Sequence, residues 1–308
     1  MFWMQDVGGV NSRAGSRGTA GKRTLVLLAL AAATPCAWAG DRLLGTWGVS
    51  QVEGAGGGGL SPWATITGTG SSNQIGGSAY VTRMKTQGDY ELRIVGAAVG
   101  IHDRVELGMA RWSFRLADVV PGRSLEMNVA SVKVRLAGDA VYDQDTWMPQ
   151  VSVGAQYKSA QDRDLVRALG ASATSDIDVY ATATKLWLGA AAGRNLIASG
   201  AVRLTRANQF GLIGFGGQAE EKHRLQLEGS LGIMLRDDLV LGAEYRMKPN
   251  NLAYNAGTAF LKEDDAWDVF VAWFPSRLGS LTLAWVNLGN IAGKDKQAGW
   301  YLSGQLSF

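Results

Sequence analysis

The sequence has 308 residues, with 30 basic and 27 acidic side chains, a formal net charge of +3 and one cysteine. This length suits one large domain. Beyond the first 40 residues no apolar run approaches the roughly 20 residues of a membrane-spanning helix, and the residues there are rich in glycine and tryptophan and poor in proline.

Residues 1–39 are predicted to form a secretory signal peptide. Two basic residues precede the apolar run 25–33, and the small-residue pattern Ala37-x-Ala39 follows, in the order of a charged region, an apolar region and a cleavage site. The alternative is an N-terminal anchor helix, for which the run is short. Cleavage would leave residues 40–308 as a single domain with 26 basic and 26 acidic residues and no cysteine. Disulfides, thiolate metal sites, a cysteine nucleophile and a nucleic-acid partner are therefore not expected.

The first part of this domain contains a glycine-rich segment, 54–59, between two possible strands at 43–51 and 61–68. Its glycine spacing matches a dinucleotide-binding fingerprint, but Pro62 and Trp63 follow at once in place of a helix, so nucleotide binding is not expected. Glycine also permits a close backbone approach. The pair of segments either joins a β-sheet wall or folds inward, where the glycines would narrow a pore.

From residue 75 onward, apolar and polar residues alternate in short segments. This period-two pattern predicts strands, because successive side chains of a strand point to opposite faces. Clear examples lie at 90–94, 105–109, 132–136, 151–157, 224–235 and 239–246, whereas 75–84 and 177–188 are placed mainly by spacing.

The connections between these segments alternate in length. Short ones lie near 101–103, 190–193, 236–237 and 275–277, an intermediate one at 138–146, and long polar ones at 115–128, 158–175, 205–222, 247–265 and 289–298. Bacterial outer-membrane barrels have short periplasmic turns and longer extracellular loops. The pattern predicts an all-β fold, a transmembrane antiparallel β-barrel of 12 strands, or of 14 if the N-terminal pair joins the wall.

The final segment has the features of a closing strand. Its apolar face is formed by Trp300, Leu302, Leu306 and Phe308. It resembles the C-terminal signal that the barrel-assembly machinery reads in bacterial outer-membrane proteins, although its glycine is displaced by one position. We therefore expect the barrel-assembly machinery and outer-membrane lipids as partners.

Charged residues on the polar faces are predicted to line the lumen, because a charge on the lipid-facing side costs roughly 2–4 kcal/mol at the bilayer midplane. The predicted lumen residues are Glu91, Arg93, Arg104, Glu106, Lys133, Arg135, Arg203, Arg224, Glu228, Glu244 and Arg246. Either they pair across the lumen and fill it, or their basic excess forms a constriction that prefers anions.

No catalytic, metal-binding or cofactor site is expected. His102 and His223 are predicted at a periplasmic turn and near an extracellular rim, and neither stands in a motif with a nucleophile or with a second metal ligand. Solvated surface histidines are the favoured interpretation.

Several runs together resemble a proteobacterial family known as domain of unknown function 3034. They are Gly48–Gly54, Gly57–Leu60, Pro62–Ala64, Asp103–Leu107, Lys133–Leu136, Gly138–Tyr142 and Asp145–Gln150. The resemblance implies an outer-membrane location and brings no known ligand or catalytic residue.

Three functions remain open. The first is a narrow porin-like channel for small solutes, with a preference for anions. The second is a structural or interaction barrel with a plugged lumen and ligand-binding extracellular loops. The third and least favoured is a barrel hydrolase, since the sequence lacks a recognisable catalytic arrangement.

Overall fold

The computed structural model describes residues 42–116, 122–291 and 293–308. The predicted cleavage residues Ala37 and Ala39 lie outside these ranges. The fold described below lies within the compact unit of residues 39–308.

Twelve of the strands in the described ranges form one closed antiparallel barrel. They are β3 (Ile75–Thr86), β4 (Glu91–Ile101), β5 (Val105–Arg115), β6 (Ser124–Ala137), β7 (Gln150–Ala160), β8 (Ser175–Ala191), β9 (Arg194–Thr205), β10 (Arg224–Arg236), β11 (Leu239–Arg246), β12 (Ala266–Ser276), β13 (Gly279–Asn287) and β14 (Ala298–Ser307). Each strand pairs with its sequence neighbours, and β14 pairs with β3 to close the wall. The predicted 12-strand antiparallel barrel is confirmed.

The N-terminal pair folds inward and does not join the wall. Residues 42–70, here called the plug, contain the short strands β1 (Val49–Ser50) and β2 (Gly56–Gly57), which pair with each other and with no strand of the wall. The plug is buried almost throughout. Its backbone and side chains bond to inward-facing residues of the wall, so it occupies the lumen, and the alternative of 14 wall strands is wrong.

The two ends of the barrel differ in their connections. At the turn end, the strands are joined by residues 102–104, 138–149, 192–193, 237–238 and 277–278. At the loop end, they are joined by 87–90, 116–123, 161–174, 206–223, 247–265 and 288–297, and helix α1 (Arg163–Ala168) lies in the third of these. The predicted division holds for most connections. The exceptions are the short loop-end connection 87–90 and the turn-end connection 138–149, which is longer than the loop-end connections 116–123 and 288–297.

The outward face of the wall is mostly apolar. On β10, for example, Leu225, Leu227 and Leu231 are more than half exposed. Aromatic residues mark both ends of this face, with Trp285 against Trp300 near the loop end, at 5.1 Å between ring centroids. Trp187 and Trp273 lie near the turn end. Such aromatic girdles flank the apolar band of membrane barrels.

No helix among the described residues is long and apolar enough to cross a membrane.

Candidate functional site: the plugged lumen and its apolar chamber

The structure separates the eleven predicted lumen residues into three groups. Six are buried inside the barrel: Glu106, Lys133, Arg203, Glu228, Glu244 and Arg246. Three lie at its ends: Arg104 is exposed at the turn end, Arg135 is partly buried there, and Arg224 is exposed at the loop-end rim. The remaining two, Glu91 and Arg93, point outward from β4.

The inward assignment of Glu91 and Arg93 requires correction. Leu92 and Ile94, which alternate with these two residues along β4, are only 4% and 0% exposed. At the loop end, β4 therefore presents its apolar face to the lumen. The physical reason is that the lumen there is itself apolar, because it holds apolar residues of the plug and the loops. A rule that sends every apolar face to lipid therefore fails on this strand.

Near the turn end, Glu106 and Lys133 anchor the plug backbone. Glu106 accepts hydrogen bonds from the backbone N–H of Gly56 (2.9 Å) and Thr67 (2.8 Å). Lys133 lies 3.0 Å from Glu106 and donates to the carbonyl of Gly56 at 2.9 Å. Both wall side chains are 1% exposed. A buried charged pair is stabilised when its remaining hydrogen-bonding capacity is also used, and the plug backbone uses it here.

A buried charge cluster lies deeper in the lumen around Glu53 of the plug. Its carboxylate bonds Arg246 at 2.9 Å, forms an ion pair with Lys158 and lies 3.6 Å from Arg203. The wall adds two carboxylates, as Asp178 lies 2.5 Å from Lys158 and Glu228 pairs with Arg203. The side chains of this cluster are at most 4% exposed. The cluster is balanced, with three cations and three carboxylates, only because the plug contributes Glu53.

The glycine-rich segment 54–59 lies against the wall, as expected of a close backbone approach. The carboxylate of Glu244 accepts from the N–H of Leu60 (2.7 Å) and the hydroxyl of Ser61 (2.8 Å). A Cβ atom at Gly58 would lie 2.0 Å from that carboxylate. No side chain larger than hydrogen fits there without displacement of Glu244.

At the turn end, Arg42 fastens the start of the plug. Its guanidinium donates to the carbonyl of Ile66 and pairs with Asp103, which also pairs with Arg135. Arg135 in addition bonds Asp139 at 2.9 Å. The predicted lumen residue Arg135 thus links two turn-end connections beside the start of the plug.

Above the plug, toward the loop end, lies an apolar chamber of about 160 Å³. Its floor is formed by Val52 and Leu60 of the plug. Its walls and roof are formed by Met84, Leu92, Trp112, Phe114, Leu116, Leu125, Leu165, Leu169, Phe210, Leu212, Ile213, Phe260, Leu261, Leu288 and Ile291, and Gln209 adds a polar group. Phe260 in the roof is 46% exposed, so the chamber lies just beneath the surface of the loops.

Polar contacts hold the roof together. Glu263 accepts from the backbone N–H of Gln209 at 2.9 Å and lies 3.6 Å from the ammonium of Lys248. Lys248 donates to the side chain of Gln209 (3.1 Å) and to the carbonyl of Leu288 (2.7 Å). Three loop-end connections are thereby joined. Burial raises the pKa of Glu263 to about 7, although Lys248 opposes the shift, and burial lowers the pKa of Lys248.

The raised pKa of Glu263 predicts that the roof loosens as pH rises. The closed roof binds this proton more tightly than the opened loop, whose carboxyl has an ordinary pKa near 4.5. Closure is therefore strongest below about pH 4.5 and weakens as pH rises through about 7. Hydrogen-exchange protection of the Gln209 amide should fall across this window, and Glu263→Gln should flatten the dependence. Asp295→Asn, on an exposed loop residue, should leave it unchanged; a flat wild-type profile would contradict the assignment.

The histidines lie where they were expected. His102 is exposed in the turn 102–104, and Nε2 of His223 lies 3.4 Å from Asp176 at the loop end. Within the described ranges, no group of three or more histidine, cysteine, aspartate or glutamate side chains is placed to hold a metal ion.

A closed antiparallel barrel with an apolar outer face, aromatic girdles and buried charged groups in its lumen defines the class of porin-like β-barrels. The chain belongs to the family described as protein of unknown function DUF3034, whose profile matches residues 46–305. The resemblance noted in the sequence is thus confirmed. Among curated proteins no sequence matches the chain.

Solved structures similar to the barrel include three outer-membrane proteins. A KdgM porin is 10% identical, with 75% of this chain and 99% of that chain covered and a TM-score of 0.47. A NanC porin is 12% identical, with 75% and 98% covered and a TM-score of 0.48. Omp33 of Acinetobacter baumannii is 10% identical, with 77% and 99% covered and a TM-score of 0.41.

Proposed function

We propose that this chain is an outer-membrane, porin-like barrel whose lumen is closed by its own plug and which takes a small apolar molecule into the chamber beneath its loops. The turn end then faces the periplasm and the loop end the cell exterior, as short turns and long loops are arranged in bacterial barrels. The observation that carries the proposal is the apolar chamber between the plug and the loops.

The size of the chamber limits the occupant. An engineered apolar cavity of about 150 Å³ stays free of water and binds benzene, and this chamber has about 160 Å³. The lining offers dispersion contacts and one amide, that of Gln209, so a single aromatic ring or a short alkyl chain fits it best. A charged solute would lose its hydration there without a compensating partner.

The predicted preference for anions stays a prediction. Lys133, Lys158, Arg203 and Arg246 each contact a carboxylate of the wall or the plug. An anion entering the lumen would have to compete with these carboxylates. Passage through the barrel, in this proposal, requires the plug to shift after the chamber has been occupied.

Thermal unfolding of the detergent-purified protein with indole or toluene tests ligand binding. Saturation at about 100 times the dissociation constant should add about 2.7 kcal/mol to the free energy of unfolding. Leu288→Phe fills the chamber and should abolish this gain, whereas Leu283→Phe, on the outward face of β13, should retain it. Absence of stabilisation by any small apolar compound would contradict the assignment of the chamber.

Location is tested separately, by separating inner and outer membranes on a density gradient. The proposal expects the chain in the outer-membrane fraction, with heat-modifiable migration on gels. Recovery of the folded chain in a periplasmic extract would refute the membrane placement.

A further inference from the structure

The outer wall carries one concentration of basic side chains, near the loop end of β3, β4 and β5. It comprises Arg83, Lys85, Arg93, Arg111 and Arg115, here called the basic patch, all exposed. By contrast, the outward positions of β10 to β14 between the strand ends hold aliphatic, aromatic and small residues. The patch is thus a local departure from an otherwise apolar face.

Within the patch, two arginines face each other directly. Arg83 on β3 is the cross-strand partner of Arg93 on β4. Arg115 lies 3.4 Å from Glu91, Arg111 lies 2.6 Å from Glu126, and Lys85 lies 3.3 Å from Asp89.

Neither Arg83 nor Arg93 has a carboxylate within 4.0 Å in the part of the chain that the structure describes. Like charges directly opposite on neighbouring strands repel each other, and arginine on a lipid-facing surface is unfavourable to a degree that depends on depth. An anion from outside the chain would relieve both costs.

The register places the patch next to the loop-end aromatic girdle. Trp300, in the loop-end aromatic girdle, pairs across strands with Lys85, which pairs with Glu91, and Glu91 pairs with Arg115. Arg83 and Arg93 are on the same outward face, two residues further from the loop end along their strands, and Arg83 pairs with Leu302 of β14. Arginine side chains are long enough to extend from this level back to the interface, where the headgroup phosphates of outer-leaflet lipids lie, and the acyl chains would then run along the apolar rows below.

We infer that the basic patch binds the phosphorylated headgroup of an outer-leaflet glycolipid, with Arg83 and Arg93 gripping one phosphate. This inference rests on the proposed outer-membrane placement. Guanidinium groups bind phosphate through paired, charge-assisted hydrogen bonds. A phosphate between the two arginines neutralises their repulsion, and the acyl chains contact the outward side chains of Val81 and Val95, both exposed.

Native mass spectrometry of the protein in nanodiscs of phosphatidylcholine containing bis-phosphorylated lipid A tests the inference. The wild type should retain lipid A, and Arg83→Gln/Arg93→Gln should weaken retention at least about tenfold, the equivalent of about 1.4 kcal/mol. Arg83→Lys/Arg93→Lys keeps the charge without the paired geometry and should give an intermediate result. Arg236→Gln, at an exposed turn-end pair with Asp238, should match the wild type.

Two further measurements distinguish binding of a lipid phosphate from binding of free phosphate. Dephosphorylated lipid A should not be retained, and inorganic phosphate at equal concentration should not displace the lipid. Equal retention by the double glutamine variant, with an intact heat-modifiable barrel, would overturn the inference. Displacement by free phosphate would reduce the patch to a small-anion site. These measurements start from a barrel that is already in a nanodisc. Their outcome therefore does not depend on the membrane fractionation that tests the location of the chain in the cell.

Discussion

Removal of residues 43–68 is expected to expose the inner wall of the barrel to solvent. Ser152 on β7 is fully buried, and its hydroxyl donates to the carbonyl of Ala64 in the plug at 2.6 Å. Because Cys36 is the sole cysteine and lies in the predicted leader, Ser152→Cys gives a unique label site in the exported chain. A polar thiol reagent should leave it unmodified in the full barrel and modify it readily after the deletion.

The matched control is Ser276→Cys, at an exposed turn-end position, which should label equally with and without the plug. Planar-bilayer recording gives a second measurement, in which the full barrel is silent and the deletion variant conducts in steps. Removal of residues 219–222, a largely exposed part of a loop-end connection, should leave the bilayer silent. A protected Ser152→Cys in a folded, heat-modifiable deletion variant would show that the wall closes without the plug.

Glu53→Gln is expected to cause the largest loss of stability among single substitutions in the lumen. It leaves Lys158, Arg203 and Arg246 with two carboxylates in place of three, and thus an uncompensated buried positive charge. Breaking a buried ion pair by removing one partner costs about 3–5 kcal/mol. Denaturant unfolding in detergent should show this loss, and protease digestion from the turn end should cut the plug sooner.

A compensating variant distinguishes charge imbalance from a general packing defect. Glu53→Gln/Lys158→Met restores the balance with an apolar side chain, and such replacements are often close to neutral; it should recover most of the lost stability. Glu221→Gln, an exposed loop residue, is the control and should change stability by less than about 0.5 kcal/mol. If the double variant is less stable than Glu53→Gln alone, the balance argument is wrong.

The wall was predictable because its information is local and periodic. Segments such as 224–235 alternate strictly, and the position of a short turn fixes the direction of each strand. The outward faces of β10, β11 and β14 followed from this alternation. On β4 the same pattern gave the wrong face, since Leu92 and Ile94 meet an apolar lumen while Arg93 meets the outside. Alternation shows that two faces differ, and the neighbours in space decide which face is inside.

The plug and its chamber were harder to predict because they depend on contacts between distant parts of the chain. Glu53 was not among the predicted lumen residues, because it stands in a segment without periodicity. Lys158 was missed because it was assigned to the long connection 158–175, although β7 extends to Ala160. Asp178 was missed because the segment 177–188 was placed mainly by spacing, so that its two faces were not assigned. The signal that was available is compositional: the glycine-rich run 54–59, followed by Pro62 and Trp63, left an inward fold open as one of two alternatives and did not identify the wall residues that the segment contacts.

Phe308, the residue that follows β14, has a further role in how the barrel is assembled. The carbonyl of Phe308 accepts hydrogen bonds from the backbone N–H of Thr69, near the end of the plug, and from that of Gly77, near the beginning of β3. The chain therefore passes from the plug to the first wall strand beside the seam between β14 and β3. Once β14 has paired with β3, the wall has no lateral opening. We therefore expect the plug to enter the lumen while β14 is still unpaired. Wall closure and channel closure would then be a single event.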